Sequence, residues 1–248
     1  MNDGYFRDWF TEEQREYREL QLSVLSKIFG RKNGLTFKGG TALDMFYGSG
    51  RFSEDLDFDC EDKESLSAID DALEAMGKEG KYIIYNDWGS EREVHSRFIR
   101  YSIRISSQDW KEVVRLTIDY TVDRPKYAAE RMPMKWDNSI TGINVMQAKE
   151  ILAEKVSAIM SRSKARDLYD LYFLVVKKKV QIRIKDVYEK CGKSFDAKDT
   201  IGYSFKAFER RVGILEGRWR ELDPLLQNPK AYAFKEVSGS VLDAFRLL

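Results

Sequence analysis

A mixed α/β (α+β) fold with a mixed sheet, followed by a region of helix alone, is what the sequence predicts, and three observations predict it. Two short strand-like runs, "LTF" (35–37) and "DLDFDC" (55–60), bracket a helical stretch near the start. Three longer alternating runs follow between residues 81 and 121, and from about Met146 the apolar spacing is helical to the end. Strands and helices together in one half and helices alone in the other divide the chain into domains at 1–145 and 146–248. Its 248 residues suffice for two small cores.

The elements follow in order. "TEEQREYRELQLSVLSKIFG" (11–30) carries Leu20, Val24, Leu25 and Ile28 at helical spacing, with Thr11 as N-cap, Gln14 at N3 and Gly30 as the stop. "GTALDMFY" (40–47) reads as a helix opening at a glycine pair, and "YGSGRFSE" (47–54) as a loop. In "DLDFDC" strict alternation puts Asp55, Asp57 and Asp59 on one face of a strand and Leu56 and Phe58 on the other. Residues 62–77 form an amphipathic helix, and 81–87, 96–106 and 111–121 form strands. "VDRPKYAAERMPMKWDN" (122–138) reads as an irregular connection or a covering loop. Helices are expected at 146–163 and 165–178, with weaker ones beyond.

Composition removes several classes of function. Hydrophobic residues at 43% and charged residues at 33% describe a globular chain, and no stretch of ~18 uncharged apolar residues offers a membrane span. The acidic N-terminus is unlike a signal peptide, so a cytoplasmic location and no membrane partner are expected. Cys60 and Cys191 form no CxxC pair, and His95, the only histidine, is read as an incidental loop residue. Zinc-hydrolase and Ser-His-Asp chemistries therefore lack their ligands, and any metal must be held by oxygen. Residues 1–148 hold 21 Lys and Arg against 27 Asp and Glu, a net −6, whereas 149–248 hold 21 against 14, a net +7. That division suits a metal site in the front half and a polyanion surface in the back, although solvated faces give the same pattern.

The chemistry concentrates in "KGGTALDMFYGSGRFSEDLDFD" (38–59). Carboxylates along one strand face repel unless a cation sits between them, and Mg²⁺ prefers hard oxygen ligands that it shares with nucleotide phosphates. Gly39 and Gly40 at a helix start let backbone N–H groups approach a phosphate, and Thr41 adds a hydroxyl there. In "VRLTIDYT" (114–121) Arg115, Thr117 and Asp119 share a face, so Asp119 is the candidate third carboxylate of a two-metal site. Separately, an Asp-apolar-Asp strand is more often an exposed edge and a glycine pair more often a turn. Their order along the chain is the more specific signal.

That order resembles the hG[GS]…Dh[DE]h signature of the DNA polymerase β-like nucleotidyltransferases, and the wording "KGGTAL" with "RFSEDLDF" is similar to that of the AbiEii/AbiGii-type nucleotidyltransferase toxins. "AEKVSAIMSRSKARDLYDLYFL" (153–174) resembles the family's later motifs. The resemblance covers roughly residues 35–176. It implies a polymerase β-like nucleotidyltransferase domain, with Gly39 and Gly40 facing phosphate, Asp55 and Asp57 binding metal with Asp119 assisting, Lys155 as the conserved lysine and Asp170 as the later aspartate. Asp59 lies outside the shared pattern and is peripheral. Implied too are Mg²⁺, an NTP co-substrate, tRNA or another RNA as acceptor, a cognate antitoxin, and a place in a type IV toxin–antitoxin system of phage defence. A metal-dependent phosphodiesterase or nuclease and a non-catalytic nucleotide-binding module are the alternatives.

The residues of the second motif can also be read alone. Lys155 stands apart from the stripe Ile151, Leu152, Val156 and Ile159, so its long side chain could reach a phosphate. Arg166 and Asp170 are one turn apart, as are Arg162 and Arg166, and an ordinary salt-bridge network explains these charges equally well. Tyr169, Tyr172 and Phe173 have the spacing of core residues. Lys177–Lys179 are either a solvated helix end or an RNA contact.

Overall fold

The computed structural model describes residues 4–60, 65, 67–85, 93–95, 98–123, 125–192 and 202–247. The first turn expected at 62–66 (save Ser65), the end of the run 81–87 and the start of 96–106 lie outside them. The chain divides into two compact units, Met1–Gly48 with Phe52–Met146, and Ser49–Arg51 with Gln147–Leu248.

In the first unit, helix α1 (Glu12–Phe29) opens with a capping box in which Gln14 N–H donates to Thr11 Oγ1 and Thr11 N–H to Gln14 Oε1. Strand β1 (Leu35–Lys38) runs into a short α-helical turn, α2 (Gly39–Ala42), that widens into a π-helical turn over Leu43–Tyr47. Gly48, at φ 75°, ends it in the left-handed conformation that favours glycine. Then come β2 (Leu56–Cys60), α3 (Ser67–Lys78), β3 (Tyr82–Tyr85), β4 (Glu93–His95), β5 (Phe98–Ser107), β6 (Val114–Val122), β7 (Glu130–Trp136) and β8 (Ser139–Val145). The described residues form one sheet in the order β3-β5-β6-β2-β1-β8-β7, with β4 paired to β5. It is mixed: β2 runs parallel to β6 and β1 to β8, and the remaining pairs are antiparallel.

Alternation decides which face is core. Leu35 and Phe37 of β1, Leu56, Phe58 and Cys60 of β2, and Leu116, Ile118 and Tyr120 of β6 are fully buried and pack with Leu20, Val24, Leu25 and Ile28 of α1. Each such side chain contributes about 1.5–3 kcal/mol on burial, which makes this face the one the register cannot exchange.

Two expectations are corrected. The stretch 122–138 is not wholly irregular, because β7 pairs antiparallel with β8. Asp137 and Asn138, at φ 46° and 59°, form the two-residue turn, the doubly left-handed geometry a tight hairpin needs. Pro133 hides the strand in the sequence, but β7 is an edge strand and tolerates a residue with no N–H to donate. His95 lies in the short strand β4 and not on a loop.

The second unit is helical. It contains α4 (Ala148–Ser161), α5 (Ala165–Tyr172) with a π-helical extension over Phe173–Lys177, α6 (Ile184–Gly192), α7 (Phe205–Ile214), 3-10 turns over Leu215–Leu225 and Pro229–Ala231, and α8 (Phe234–Arg246). Tyr169 is buried with Ala165, Leu222 and Leu226, as its helical spacing predicts. The loop residues Ser49–Arg51 belong to this unit: Arg51 forms a β-bridge with Leu226, and Tyr169 Oη donates to the Ser49 carbonyl at 3.0 Å. Among the described residues no helix is long and apolar enough to cross a membrane.

Candidate active site

The polar face of the sheet carries a row of four charges. Register places Lys38 of β1 opposite Asp57 of β2, Asp57 beside Asp119 of β6, and Asp119 opposite Arg100 of β5. Adjacent strands lie about 4.8 Å apart, so the row reads cation, carboxylate, carboxylate, cation over four neighbouring strands. Like charges directly side by side destabilise a sheet, and the outer cations offset this in part. Arg100 donates to Asp119 through Nε and Nη2, both at 2.7 Å. Lys38 Nζ lies 2.5 Å from Asp59 Oδ1. The sequence treats Asp59 as peripheral, yet it is fully buried, so its pair with Lys38 is structural and holds the end of β1 from which the glycines leave.

Gly39 is required twice over. Its φ is 76°, and a Cβ there would stand 2.0 Å from Asp57 Oδ2. Any side chain would displace that carboxylate, so glycine is dictated by the closeness of backbone to Asp57 as well as by the turn. Gly40 and Thr41 follow, both buried. The hydroxyl assigned above to a phosphate is engaged elsewhere: Thr41 Oγ1 donates to the Asp55 carbonyl at 2.5 Å, and Thr41 is fully buried. It positions the backbone of Asp55.

Other residues that sequence reasoning missed hold the same segment. Gln21 of α1, fully buried, donates from Nε2 to the carbonyls of Ser53 at 2.9 Å and Glu54 at 2.7 Å, just before Asp55. Arg18, also fully buried, donates to Asp44 Oδ2 at 2.6 Å, with the rings of Phe10 and Phe52 each 5.5 Å from its guanidinium carbon. Burial lowers the Arg18 pKa while Asp44 opposes that shift. The helical turn bearing the glycine pair is thereby tied to α1 by a charge pair withdrawn from water.

In the second unit Lys155 and Asp170 meet, but not as the sequence suggests. Asp170 is fully buried and accepts from Arg51 Nε at 2.9 Å and Nη2 at 3.0 Å, with Lys155 Nζ 2.7 Å from its Oδ2. Lys155 also donates to Asp167 at 3.0 Å, and Arg162 donates to Asp167 at 2.9 and 3.1 Å. Burial raises the carboxyl pKa of Asp170, but Arg51 and Lys155 outweigh it and the result lies below the ordinary value. Asp167 is lowered in the same way, by Lys155 and Arg162 against burial. Arg51 went unnoticed because no local spacing links it to a helix more than a hundred residues away.

Asp55, Asp57 and Asp119 supply the hard oxygen donors that Mg²⁺ takes, two of them on adjacent strands in register. Among the described residues no three such groups already converge on one point. Asp119 is engaged by Arg100, which is 40% exposed and has its guanidinium carbon 5.4 Å from the Phe98 ring centroid.

A mixed sheet with a glycine turn against an aspartate strand, continued by a helical unit, is the build of a nucleotidyltransferase. The chain belongs to the family described as nucleotidyl transferase AbiEii toxin of type IV toxin–antitoxin systems, whose profile matches residues 24–236. Solved structures similar to it include JHP933 from Helicobacter pylori, at TM-score 0.63 and 22% identity over 96% of this chain and 92% of that one. A putative nucleotidyltransferase from H. pylori superposes with TM-score 0.64 and 22% identity, covering 96% and 95%. MenT4, a nucleotidyltransferase toxin from Mycobacterium tuberculosis H37Rv, does so with TM-score 0.50 and 18% identity, covering 96% and 95%. These likenesses show the fold. No curated protein sequence matches the chain.

Proposed function

We propose that this nucleotidyltransferase is Mg²⁺-dependent and transfers the NMP of an NTP to a hydroxyl of RNA, with tRNA as the first acceptor to test. The observation that carries the reading is the in-register pair Asp57 and Asp119 with the Gly39 backbone lying against Asp57. The acceptor oxygen bonds to the α-phosphorus, the bond from that phosphorus to the bridging oxygen breaks, pyrophosphate leaves, and the hydroxyl proton is released.

Asp55, Asp57 and Asp119 would hold the metal, which when bound supplies charge neutralisation to the triphosphate and the attacking oxygen. The remaining work falls to the chain itself. Gly39 and Gly40 let backbone come close to phosphate without a side chain intervening. Gln21 and Thr41 fix the consecutive backbone carbonyls of Ser53, Glu54 and Asp55. Lys155 lends positive charge to the nucleotide, and the buried carboxylates Asp167 and Asp170 hold its ammonium group in place. In the family's setting a cognate antitoxin restrains this activity.

The test incubates the purified chain with each labelled NTP, Mg²⁺ and total tRNA. Label should enter RNA only when NTP and Mg²⁺ are both present, and Asp55→Asn with Asp57→Asn should lower transfer by at least about 10³-fold, as expected when transition-state charge stabilisation of this kind is lost. Transfer that persists unchanged in the double variant refutes the site, and shortening of RNA without NTP refutes the reaction.

A further inference from the structure

The segment "KKKVQIRIK", residues 177–185, holds five cations and no acid. Burial alternates through its second half: Lys179, Gln181, Arg183 and Lys185 are exposed, and Val180, Ile182 and Ile184 are partly covered. Only 180–183 lie between the left-handed turn at Lys179 and the start of α6 at Ile184, so the cations are gathered at two facing helix ends and the short link that joins them. Lys177 and Lys178 are exposed as well, with Nζ 5.6 Å from the Tyr172 ring centroid and 5.8 Å from that of Phe173. The ammonium groups are thus held over aromatic faces.

A solvated helix end does not account for the whole segment. Lysines at 177–179 follow the helical stretch that ends at Lys177, where a cation is favoured by the helix dipole. Arg183 and Lys185 sit at the opposite kind of terminus, before and within the first turn of α6, where the dipole disfavours positive charge. Asp186, whose carboxylate lies 3.9 Å from Arg183, offsets only part of this. The turn itself is also costly in residue choice. Lys178 N–H bonds to Phe173 O and Val180 N–H to Leu174 O, each at 2.9 Å, and this closure leaves Lys179 at φ 54°. Glycine is the usual residue there, yet a cation occupies the place.

We infer that residues 177–185 form a docking strip for the phosphate backbone of RNA. Five exposed cations with no acid among them complement the charge of a phosphate backbone. The inference rests on the reading of RNA as the acceptor, so its assay contains no NTP and stays independent of transfer.

The experiment measures anisotropy of a labelled 12-nucleotide single-stranded RNA with the full chain from 0.05 to 1 M salt. In the variant Lys177→Gln, Lys179→Asn, Lys185→Gln, where Asn tolerates the left-handed turn, the slope of log affinity against log salt should fall by about 2, at ~0.7 per lost contact. For equal affinities at 1 M this is about a 100-fold loss at 0.1 M. The control Lys206→Gln, Lys230→Gln, Lys235→Gln removes three exposed lysines from the same unit and should leave the slope unchanged. Equal slopes in strip variant and wild type, an equal loss in the control, no binding by wild type, or competition by polyglutamate as effective as by RNA each overturn the inference. Should the first variant melt early, Lys178→Gln with Lys185→Gln leaves the turn intact and should lower the slope by about 1.4.

Discussion

Replacing Asp170 by Asn separates two roles that the sequence alone leaves merged. A residue that only orients nucleotide can lose its charge with little cost to folding. Asp170 is instead the anion for two buried cations, with Arg51 1% exposed and Lys155 8% exposed, and the asparagine amide would present a donor to a guanidinium that already donates. Removing one partner of a buried pair costs about 3–5 kcal/mol, and here Lys155 retains Asp167 while Arg51 loses both charged contacts. We therefore expect Asp170→Asn to lose about 3–5 kcal/mol, a fall in melting temperature of roughly 6–20 °C for a chain of this size. Arg51→Lys keeps the charge, loses the two-pronged geometry, and should lose about 1.5–3 kcal/mol. The double variant Arg51→Met, Asp170→Leu removes both charges together and should recover most of the stability while leaving transfer low, because the loop Ser49–Arg51, four residues before Asp55, is no longer fixed by a directional pair. Urea midpoints and melting curves read the first quantity, and kcat and KM for NTP read the second. A melting point for Asp170→Asn within about 2 °C of wild type would refute the anchoring argument and return Asp170 to direct contact with nucleotide.

Three further outcomes follow from the same geometry. Gly39→Ala puts a Cβ 2.0 Å from Asp57 Oδ2 at a left-handed φ, so it should cost about 1–3 kcal/mol in melting experiments and remove detectable transfer, since the Asp57 carboxylate, a proposed metal ligand, must move. Arg100→Gln frees Asp119 from a pair whose arginine is 40% exposed; stability should change by no more than ~1 kcal/mol, while the Mg²⁺ concentration for half-maximal transfer falls, and a rise in that concentration would count against Asp119 as a ligand. Asp167 and Asp170 both have folded pKa values below their ordinary one, so the stability they confer is fully present above that value and is lost as pH falls below about 4. In Asp167→Asn the acid-side slope of unfolding free energy should be shallower by up to about 1.4 kcal/mol per pH unit, as measured by urea titration from pH 5 to 2.5.

What could be read from the sequence divides along the range of the interactions. α1 with its capping box, the glycine turn and the alternating aspartate strand are local patterns, written within a few residues, and each stands in the structure. Asp119 as the neighbour of Asp57 was legible through the alternation of "RLTID", which fixed the face, although the parallel register that sets the two side by side is a tertiary fact. The hairpin of β7 and β8 escaped because Pro133 reads as a strand breaker, and only its place at the sheet edge makes it harmless. Long-range charge pairs left no local trace: Arg18 with Asp44, Lys38 with Asp59 and Arg51 with Asp170 are each between residues whose spacing carries no period.

Those unseen pairs share a property that bears on how the site works. Each withdraws at least one carboxylate from water, and each restrains a segment adjoining the glycine turn or the aspartate strand: the turn's own helix, the strand end before it, and the loop after it. Asp57 and Asp119 stand side by side on adjacent strands, the cations beside them offset only part of their repulsion, and flexible surroundings would relieve the rest by letting the strands shift. Directional buried pairs oppose that shift better than apolar contacts of equal area, because a sliding Leu finds new neighbours whereas a displaced guanidinium leaves an unpaired buried charge. The carboxylates recognised first in the sequence, the proposed metal ligands, are thus where like charges crowd, and Arg18 and Lys38, which no motif announced, hold the backbone beside them.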